Sequence, residues 1–430
     1  MSAMPLSEII SLDPGFNSNE PDWLNVRRQL AFERLTATGL PVEGSENWRY
    51  SSLRSLLRKN LNTQADVVLE SEQLLSLAGL EQDSYRMVFV NGLYQAHLSL
   101  VPDDIKITNL ASEFENSEID ALLGDMPDAA DAGFSYLNTT KFQDGLFIQL
   151  EKNTLCEQPV HLIQLSAGDV LSNARHIIHL ADGASLTLVE QVIELSGQTG
   201  GGLLNTQTQV MLADKARLDW TRAQTLAGKS TLVDRVDCRL AAGSQLHCTH
   251  LDLGGLWVRH DFSVELQGQN GFIEVDGMVM VRGRQHTDFH TRIDHQVENC
   301  TSRENFKCIA DGRGRGVYNG KILVQVGADG TDSAQKSANL LLSEHAEIDT
   351  KPDLEILADD VIASHGATVG QLDDDALFYM RTRGIDEKLG RKLLMRAFCQ
   401  EVIDLVEVES ARESLGAKLD QVFEEMELVG

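Results

Sequence analysis

The feature that most constrains the fold is a repeat of short β-type runs separated by small or glycine-containing corners. It begins near Gly145 and continues for more than 200 residues, with successive corners at Gly183, Lys215, Gly243 and Gly271. These corners are 32, 28 and 28 residues apart. A period of roughly 20–50 residues is typical of solenoids, in which each repeat buries its apolar side against the next. The repeat therefore predicts a parallel β-helix.

Other β architectures fit this repeat less well. A β-propeller repeats at about 40 or more residues per blade, and a β-sandwich ends after roughly 100 residues. A doubly wound sheet needs helices between its strands, and no helical pattern interrupts this region. We therefore predict a mainly β chain whose β-helix core covers residues 145–370.

The segment before the core, residues 1–144, is predicted to be helical and mixed. Apolar residues recur there at near-helical spacing until Gly39 ends the pattern. The recurring residues are Trp23, Val26, Leu30 and Leu35. Further along, two β-rich runs flank Asn91-Gly92, which is a strong hairpin signal.

The segment after the core, residues 371–430, is predicted to be a helical domain. Gly384 separates two helical patterns as a C-cap would. In the second pattern two apolar rows recur at i, i+4 spacing: Leu389, Leu393 and Ala397, and Leu394, Phe398 and Val402. The last residues are expected to form a third, acidic helix or a frayed tail.

The net charge excludes several functions. The 430 residues carry 65 acidic and 37 basic side chains, a formal charge of −28 at pH 7. Nucleic acids and anionic membrane surfaces bind basic proteins, so neither is an expected partner. The chain has no apolar run near the ~18 residues that a membrane span needs. Its six cysteines are scattered without a CxxC pair, so we expect a cytoplasmic protein with reduced thiols.

Two glycine-containing motifs lack the context of a nucleotide site. Gly228-Lys229-Ser230 matches the end of a phosphate-binding loop, but the first glycine of that motif is missing and the following residues indicate a strand. The segment GRGRGVYNG has no βαβ context. We expect both segments to be corners between coils.

Alternate polar residues mark the segment HTDFHTRIDH. In a strand, His286, Asp288 and His290 share one face with Arg292 and Asp294. Imidazole and carboxylate groups suit zinc or iron, so this row is a candidate metal site. The favoured interpretation is a polar stripe that faces solvent or an interface, because the helical zinc motif H-E-x-x-H is absent.

His365 lies in a small-residue segment, ASHGATVG. A neutral imidazole is a usual ligand of iron and zinc, and Gly366 and Ala367 leave little bulk beside it. On the residues alone a structural histidine is the better interpretation. No Ser-His-Asp order or paired-carboxylate constellation stands out, so the residues alone predict no catalytic site.

The carboxy-terminal third carries a specific resemblance. The segment that runs from RIDHQVENC to FYMRTRG closely resembles the SufB/SufD family, components of the Suf iron–sulfur cluster assembly machinery, and ENWRY at residues 46–50 is similar to the family's amino-terminal segment. SHGATVGQLD, Ser364 to Asp373, resembles the SufD branch. SufB carries a cluster-building cysteine in the strand that corresponds to Lys336–Asn339, and this chain has none there.

The resemblance implies a right-handed parallel β-helix between two helical regions and a non-catalytic scaffold subunit of a SufBCD-type complex. SufB would pair through the carboxy-terminal end of the β-helix. The ATPase SufC, which would hold the ATPase activity, would dock on the carboxy-terminal helices. The residues implied for that docking are Phe378, Tyr379, Arg383, Gly384 and Phe398.

By the same resemblance His365 matches the histidine that faces the SufB cysteine where a transient iron–sulfur cluster forms, and it would supply an imidazole ligand to iron. Ala363 stands where many relatives have a cysteine, so no thiol ligand is implied at that position. Reduced flavin has been associated with the family's complex, although no flavin motif can be assigned in this chain.

Two other functions stay open on the sequence. A β-helix enzyme that acts on an acidic polysaccharide would need carboxylates clustered with basic residues along one face. It would normally also have a secretion signal, which MSAMPLSEIISLDPGF does not resemble. The second alternative is a homodimeric scaffold that forms without SufB.

Overall fold

The structure is a computed structural model that describes residues 3–41, 45–63, 67, 69–127, 129–195 and 201–426. The residues outside these ranges fall in all three predicted regions, 1–144, 145–370 and 371–430. Within the described ranges, β-strands contain more residues than helices do. No helix of the described ranges is both long and apolar enough to cross a membrane.

The strands fall into an amino-terminal group and a long regular series. The amino-terminal group is Met4–Pro5 (β1), Asn60–Leu61 (β2), Tyr85–Val90 (β3), Leu93–Tyr94 (β4) and Lys106–Asn109 (β5). The series is Leu146–Leu150 (β6), Val160–Ser166 (β7), Leu171–Leu180 (β8), Ser185–Glu194 (β9), Leu203–Leu212 (β10), Arg217–Thr225 (β11), Thr231–Leu240 (β12), Gln245–Asp252 (β13), Trp257–Leu266 (β14), Phe272–Val281 (β15), His286–His295 (β16), Thr301–Ala310 (β17), Arg315–Val324 (β18), Thr331–Leu341 (β19), Glu347–Ile356 (β20) and Val361–Gly370 (β21).

The helices lie at the two ends. Those before the series are Leu6–Ile9 (α1), Asp22–Thr38 (α2), Arg54–Leu57 (α3), Ser71–Ala78 (α4), Glu118–Leu122 (α5) and Gly133–Lys141 (α6). Those after it are Asp374–Thr382 (α7), Glu387–Ile403 (α8) and Glu409–Glu425 (α9). The acidic carboxy-terminal segment is thus a helix as far as residue 425, and residues 427–430 lie outside the described ranges.

Successive strands alternate between two sheets, which confirms the predicted parallel β-solenoid. From β6 to β21 the even-numbered strands pair in parallel in one sheet and the odd-numbered strands in the other, giving about eight turns. The register is regular: Arg222 on β11 pairs with Glu190 on β9 and with His250 on β13. The side chains between the sheets form one continuous apolar cluster, from Met87 and Ile148 to Phe306 and Val324.

The corners turn through residues with positive φ, as the repeat requires. Gly183, Lys215 and Gly243 have φ of 65°, 59° and 65°, a left-handed conformation that glycine adopts at little cost. At the fourth corner the left-handed residue is Asn270, with φ 60°, and not the neighbouring Gly271. Asparagine tolerates this conformation, so the corner is one residue earlier than predicted.

The predicted amino-terminal helix and hairpin both form. The β3–β4 hairpin turns at Asn91 and Gly92, which both have positive φ. Helix α2, however, does not bury all the residues that predicted it, because Val26 and Leu30 are exposed. Its buried face instead contains Arg28, which forms an ion pair with Glu20 (2.8 Å) and donates hydrogen bonds to two backbone carbonyls of the α6 segment.

The carboxy-terminal helices α8 and α9 pack on the outer face of the odd-numbered sheet. Met395, Cys399 and Leu415 contribute to an apolar cluster with Leu251 and Met280 of the sheet. Lys307 on β17 also forms an ion pair with Glu401 on α8 (2.5 Å). The two helices are therefore joined to the odd-numbered sheet, along strands β9 to β17, by apolar and charged contacts.

Candidate functional site at the carboxy-terminal end of the solenoid

The two ends of the solenoid differ. At the amino-terminal end the antiparallel strands β4 and β5 close the sheets. At the other end β20 pairs only with β18, and β21 pairs only with β19, within the part of the chain that the structure describes. The outer edges of β20 and β21 therefore present unpaired backbone groups, which can pair with a strand of another chain.

The last coil also leaves apolar side chains uncovered. In the next coil inwards Val324 and Asn339 are almost fully buried. Their neighbours in the terminal coil, Ile356 and Val369, are 40% and 47% exposed. Because a solenoid repeat buries its apolar side only against a neighbour, a further layer is missing from this end. The uncovered coil, β20 and β21 together, is here called the open end.

His365 lies at this open end. It is an exposed residue of β21 and pairs in register with Gln335 of β19. Side chains at paired positions of neighbouring parallel strands lie on the same face, and Gln335 faces the interior. Ala363, two residues before His365, lies on the same face.

A buried polar group lies behind His365. Gln335 Nε2 donates a hydrogen bond to Glu304 Oε2 (2.8 Å), and the Tyr318 hydroxyl lies 3.3 Å from Glu304 Oε1. Glu304 is fully enclosed, and burial raises the pKa of its carboxyl to about 7 against the hydrogen bonds that favour ionisation. The inward-facing row Glu304–Gln335–His365 thus connects the interior with the open end.

Sequence reasoning missed Glu304 and Gln335. The signal that could have found Glu304 is the alternation of inward and outward residues along a strand. Ser302, Glu304 and Phe306 occupy successive inward positions of β17, and most earlier coils have apolar residues at these positions. A polar residue at such a position must find a partner inside the solenoid. The partners come from β18 and β19, so the network depends on the register of three successive strands.

The carboxy-terminal helices carry a second exposed group. Phe378 and Tyr379 on α7 are 68% and 59% exposed, and Arg383 lies over the Tyr379 ring at 5.2 Å. Gly384 ends α7 with φ 85°, the left-handed conformation that was predicted for a C-cap. Leu389 and Leu393 form an exposed apolar row on α8. We call Phe378, Tyr379, Leu389 and Leu393 the helical patch.

Phe398, the fifth predicted docking residue, lies elsewhere. It is half-buried against the cluster that fixes α8 to the sheet, and the Lys307 ammonium lies 4.7 Å from the centre of its ring. Lys307 also donates a hydrogen bond to the Phe398 carbonyl (2.9 Å). The structure therefore separates Phe398 from the residues of the helical patch.

The polar stripe of β16 faces the amino-terminal region. The Ser51 hydroxyl donates to Asp288 Oδ2 (2.5 Å) and lies 2.8 Å from His286 Nε2. Arg259 forms an ion pair with Asp288 (2.7 Å), and His290 Nε2 lies 2.9 Å from the other oxygen of Asp288. The stripe is thus an interface within the chain, in agreement with the favoured interpretation.

The ENWRY segment supplies the other half of this interface. Trp48 is buried and stacks between Phe134 (5.7 Å) and Trp257 (6.2 Å). Arg259 lies over the Trp48 ring at 4.7 Å and donates a hydrogen bond to the Asn47 carbonyl. The segment therefore attaches the amino-terminal region to the outer face of the even-numbered sheet.

The two glycine motifs are corners, as expected. Strand β12 follows Gly228-Lys229-Ser230 directly, so no helix amino terminus is available there to bind phosphate. Gly312, with φ 66°, turns the chain between β17 and β18. Neither segment contributes to the open end.

Comparison with known proteins agrees with this architecture. Residues 15–162 match the family model described as SufBD protein N-terminal region, and residues 163–398 match SUF system FeS cluster assembly, SufBD core domain. The chain is 32% identical to the iron–sulfur cluster assembly protein SufD of Escherichia coli (strain K12), over 91% of this chain and 92% of that protein.

Two further relatives are similar over most of their length. An iron–sulfur cluster assembly SufBD family protein of Synechocystis sp. is 29% identical, over 90% of this chain and 89% of that protein. The chloroplastic protein ABCI7 of Arabidopsis thaliana is 27% identical, over 88% of this chain and 81% of that protein. The chain belongs to the SufBD family of iron–sulfur cluster assembly proteins.

Proposed function

We propose that this chain is a non-catalytic scaffold subunit of a SufBCD-type complex, in which it pairs with SufB and docks the ATPase SufC. The observation that carries the proposal is the open end, where two sheet edges and the side chains of Ile356 and Val369 are uncovered. Membership of an assembly-protein family favours this function over an enzyme that acts on acidic polysaccharide.

The open end fits a partner that is itself a β-helix. A coil stacked on β20 and β21 would pair their free backbone groups and continue the apolar interior past Ile356 and Val369. SufB is the proposed partner because it is a second chain of the same family. A second copy of this chain is the competing partner.

His365 would then lie where the two interiors meet. Its imidazole would be a ligand for iron of a cluster that is being assembled, and the cluster is cargo of the complex. Asparagine occupies position 339 and lysine position 336 on the neighbouring strand, so the proposal assigns any thiolate ligand to SufB. The Glu304 carboxyl behind His365 would hold a proton close to neutral pH.

SufC would dock on the helical patch. Phe378 and Tyr379 are large aromatic side chains left exposed on α7, and such residues are common anchors of protein interfaces. Helix α8 continues from this patch to Glu401, which forms an ion pair with Lys307 on β17. Motion driven by ATP in SufC would therefore be transmitted to the open end as a rigid shift of α7 and α8.

Co-expression of the chain with SufB and SufC tests the pairing. Val369→Asp places a carboxylate where the joined interior would be, and we expect it to weaken recovery of SufB by about 100-fold. Val26→Asp is the matched control, because Val26 is an exposed valine on α2, away from the open end. Equal recovery of SufB by both variants would refute the proposed interface.

The mass of the complex distinguishes the two partners. A heterodimer with SufB supports the proposal. A homodimer that persists when SufB is present in excess would show that a second copy of this chain covers the open end, and would contradict it.

A further inference from the structure

The solenoid interior contains a cluster of histidine and aspartate side chains far from His365. His250 and Asp252 are alternate residues of β13, so both point into the interior, and His260 of β14 points in from the other sheet. All three are buried, with at most 3% exposure. One ligand atom from each lies within 4.8 Å of the other two.

The polar atoms of this cluster lack ordinary partners. Both ring nitrogens of His250, both carboxylate oxygens of Asp252 and Nε2 of His260 accept or donate no well-aligned hydrogen bond among the described residues. His260 Nε2 lies 3.0 Å from Asp252 Oδ2, and His250 Nε2 lies 3.8 Å from Asp252 Oδ1. Buried polar atoms almost always have well-aligned hydrogen-bond partners. Three side chains that lack them and bring one ligand atom each within 4.8 Å of the others therefore indicate a ligand held between them.

The second nitrogen of His260 is held in the way that metal-binding histidines are held. His260 Nδ1 lies 3.0 Å from Asp234 Oδ2. Asp234 is fixed in turn by Arg222 through two hydrogen bonds of 2.9 and 3.1 Å. A carboxylate that binds one nitrogen sets the tautomer and turns the lone pair of the other towards a metal.

The excess negative charge of the cluster favours a bound cation. Glu190, Asp234 and Asp252 are three buried carboxylates, and Arg222, which pairs with the first two, is the one guanidinium among them. Two negative charges remain when His260 is neutral, and one remains when His260 is protonated between Asp234 and Asp252. Either excess is costly in an interior where charge has no partner. One dication compensates the two charges while both imidazoles remain neutral, which is the form that binds metal.

The surroundings suit a small, closed site. The Phe289 ring lies 4.8 Å from the His250 ring and 5.0 Å from the His260 ring, between centres, and so covers one side. A small cavity borders both imidazoles together with Arg222 and Gln224. This cavity of about 10 Å³ is at the lower limit for one water molecule, and zinc commonly takes three protein ligands and one water.

We propose that His250, Asp252 and His260 form a buried binding site for one divalent transition-metal ion, zinc or ferrous iron in chemical class. The ion stays bound inside the solenoid and links β13 to β14 across the two sheets. It is separate from the cargo cluster proposed for the open end, and the proposal stands whether or not the chain pairs with SufB.

Metal content of the purified full-length chain tests the site. The chain is expressed with added Zn²⁺, purified without a polyhistidine tag, dialysed against a mild chelator and analysed by mass spectrometry of the metal. We expect about one zinc ion per chain. A summed content of zinc, iron and cobalt far below one ion per chain, both in this preparation and after growth with Co²⁺ in place of zinc, would overturn the proposal.

Variants locate the ion. His250→Asn and Asp252→Asn should each lower the metal content about tenfold or more. His247→Asn is the matched control, because His247 is on the same strand but contacts Glu274 on the outer face, and it should keep the ion. Folded His250→Asn and Asp252→Asn variants that retain the wild-type content would refute the site.

A spectroscopic measurement covers the case in which the variants do not fold. The wild-type chain grown with Co²⁺ should show visible d–d absorption, and X-ray absorption of the zinc form should show imidazole nitrogen and oxygen ligands. The chain also contains six buried free cysteines, Cys248 among them. Sulfur ligation would assign the ion to these cysteines and would overturn the proposal.

Discussion

His365 on β21 pairs in register with Gln335 on β19, yet Gln335 is 1% exposed and His365 lies open at the end of the solenoid. The two residues occupy the same inward row of successive coils. They differ in exposure because β21 covers Gln335, whereas β21 is itself the last strand of its sheet and leaves His365 uncovered. A partner that supplies that coil would enclose His365 as the solenoid encloses Gln335.

The buried carboxyl of Glu304 predicts a pH-dependent stability. The folded chain keeps this carboxyl protonated up to about pH 7, whereas an unfolded chain releases the proton near the ordinary value of 4.5. The folded state therefore binds more protons between these values, so the free energy of unfolding falls as pH rises through this window. The loss, about 3 kcal/mol, is complete above pH 7 and absent below pH 4.5.

Glu304→Gln removes that titration. The quantity to measure is the free energy of unfolding of the variant minus that of the wild type, by chemical unfolding at both pH values. It should be about 2–3 kcal/mol larger at pH 8 than at pH 5. Glu298→Gln, at an exposed carboxyl in the turn before β17, is the control and should show no such difference. The same change for both variants would contradict the assignment to Glu304.

The helical patch predicts a selective loss of one partner. Phe378→Asp should abolish recovery of SufC from the co-expressed complex and leave SufB bound, because Phe378 lies on α7 and not on β20 or β21. Phe16→Asp is the control, since Phe16 is similarly exposed at the amino-terminal end. We expect affinity for SufC to fall by about 30-fold or more, as for a central interface anchor. Loss of SufB together with SufC would instead indicate a general defect.

The ENWRY segment predicts a stability effect. Trp48→Ala removes a buried ring that stacks on Phe134 and Trp257, and such truncations cost about 3–5 kcal/mol. The variant should unfold at lower denaturant and should expose the amino-terminal region to limited proteolysis. A loss below about 1 kcal/mol would show that the segment does not hold this region in place.

Sequence patterns predicted the architecture well because it repeats. Each coil has the same strand, corner and strand, so the signal accumulates along the chain, and Gly183, Lys215 and Gly243 are left-handed corners as the spacing required. The end of α7 near Gly384 was equally predictable, because the positive φ that follows many helices favours glycine. Local preference decides the conformation at the three glycines, whereas at Lys215 the repeat places the corner on a residue that has no such preference.

Contacts between distant residues could not be predicted in this way. The partner of His286 and Asp288 is Ser51, more than 200 residues earlier in the chain, and no local pattern indicates that contact. Helix α2 buries Arg28 because carbonyls of the α6 segment accept its hydrogen bonds, whereas spacing alone suggested Val26. The exposure of His365 likewise depends on where the solenoid stops.

Anaerobic cluster reconstitution of the co-expressed complex tests the role of His365 most directly. The wild-type complex is compared with His365→Ala and with His345→Ala, an exposed histidine in the turn after β19, after supply of iron and sulfide and with subunit content checked by mass. We predict that His365→Ala keeps both partners but lowers the visible absorption of the cluster about tenfold, whereas His345→Ala matches the wild type. Full cluster formation by an intact His365→Ala complex would contradict the proposed ligand.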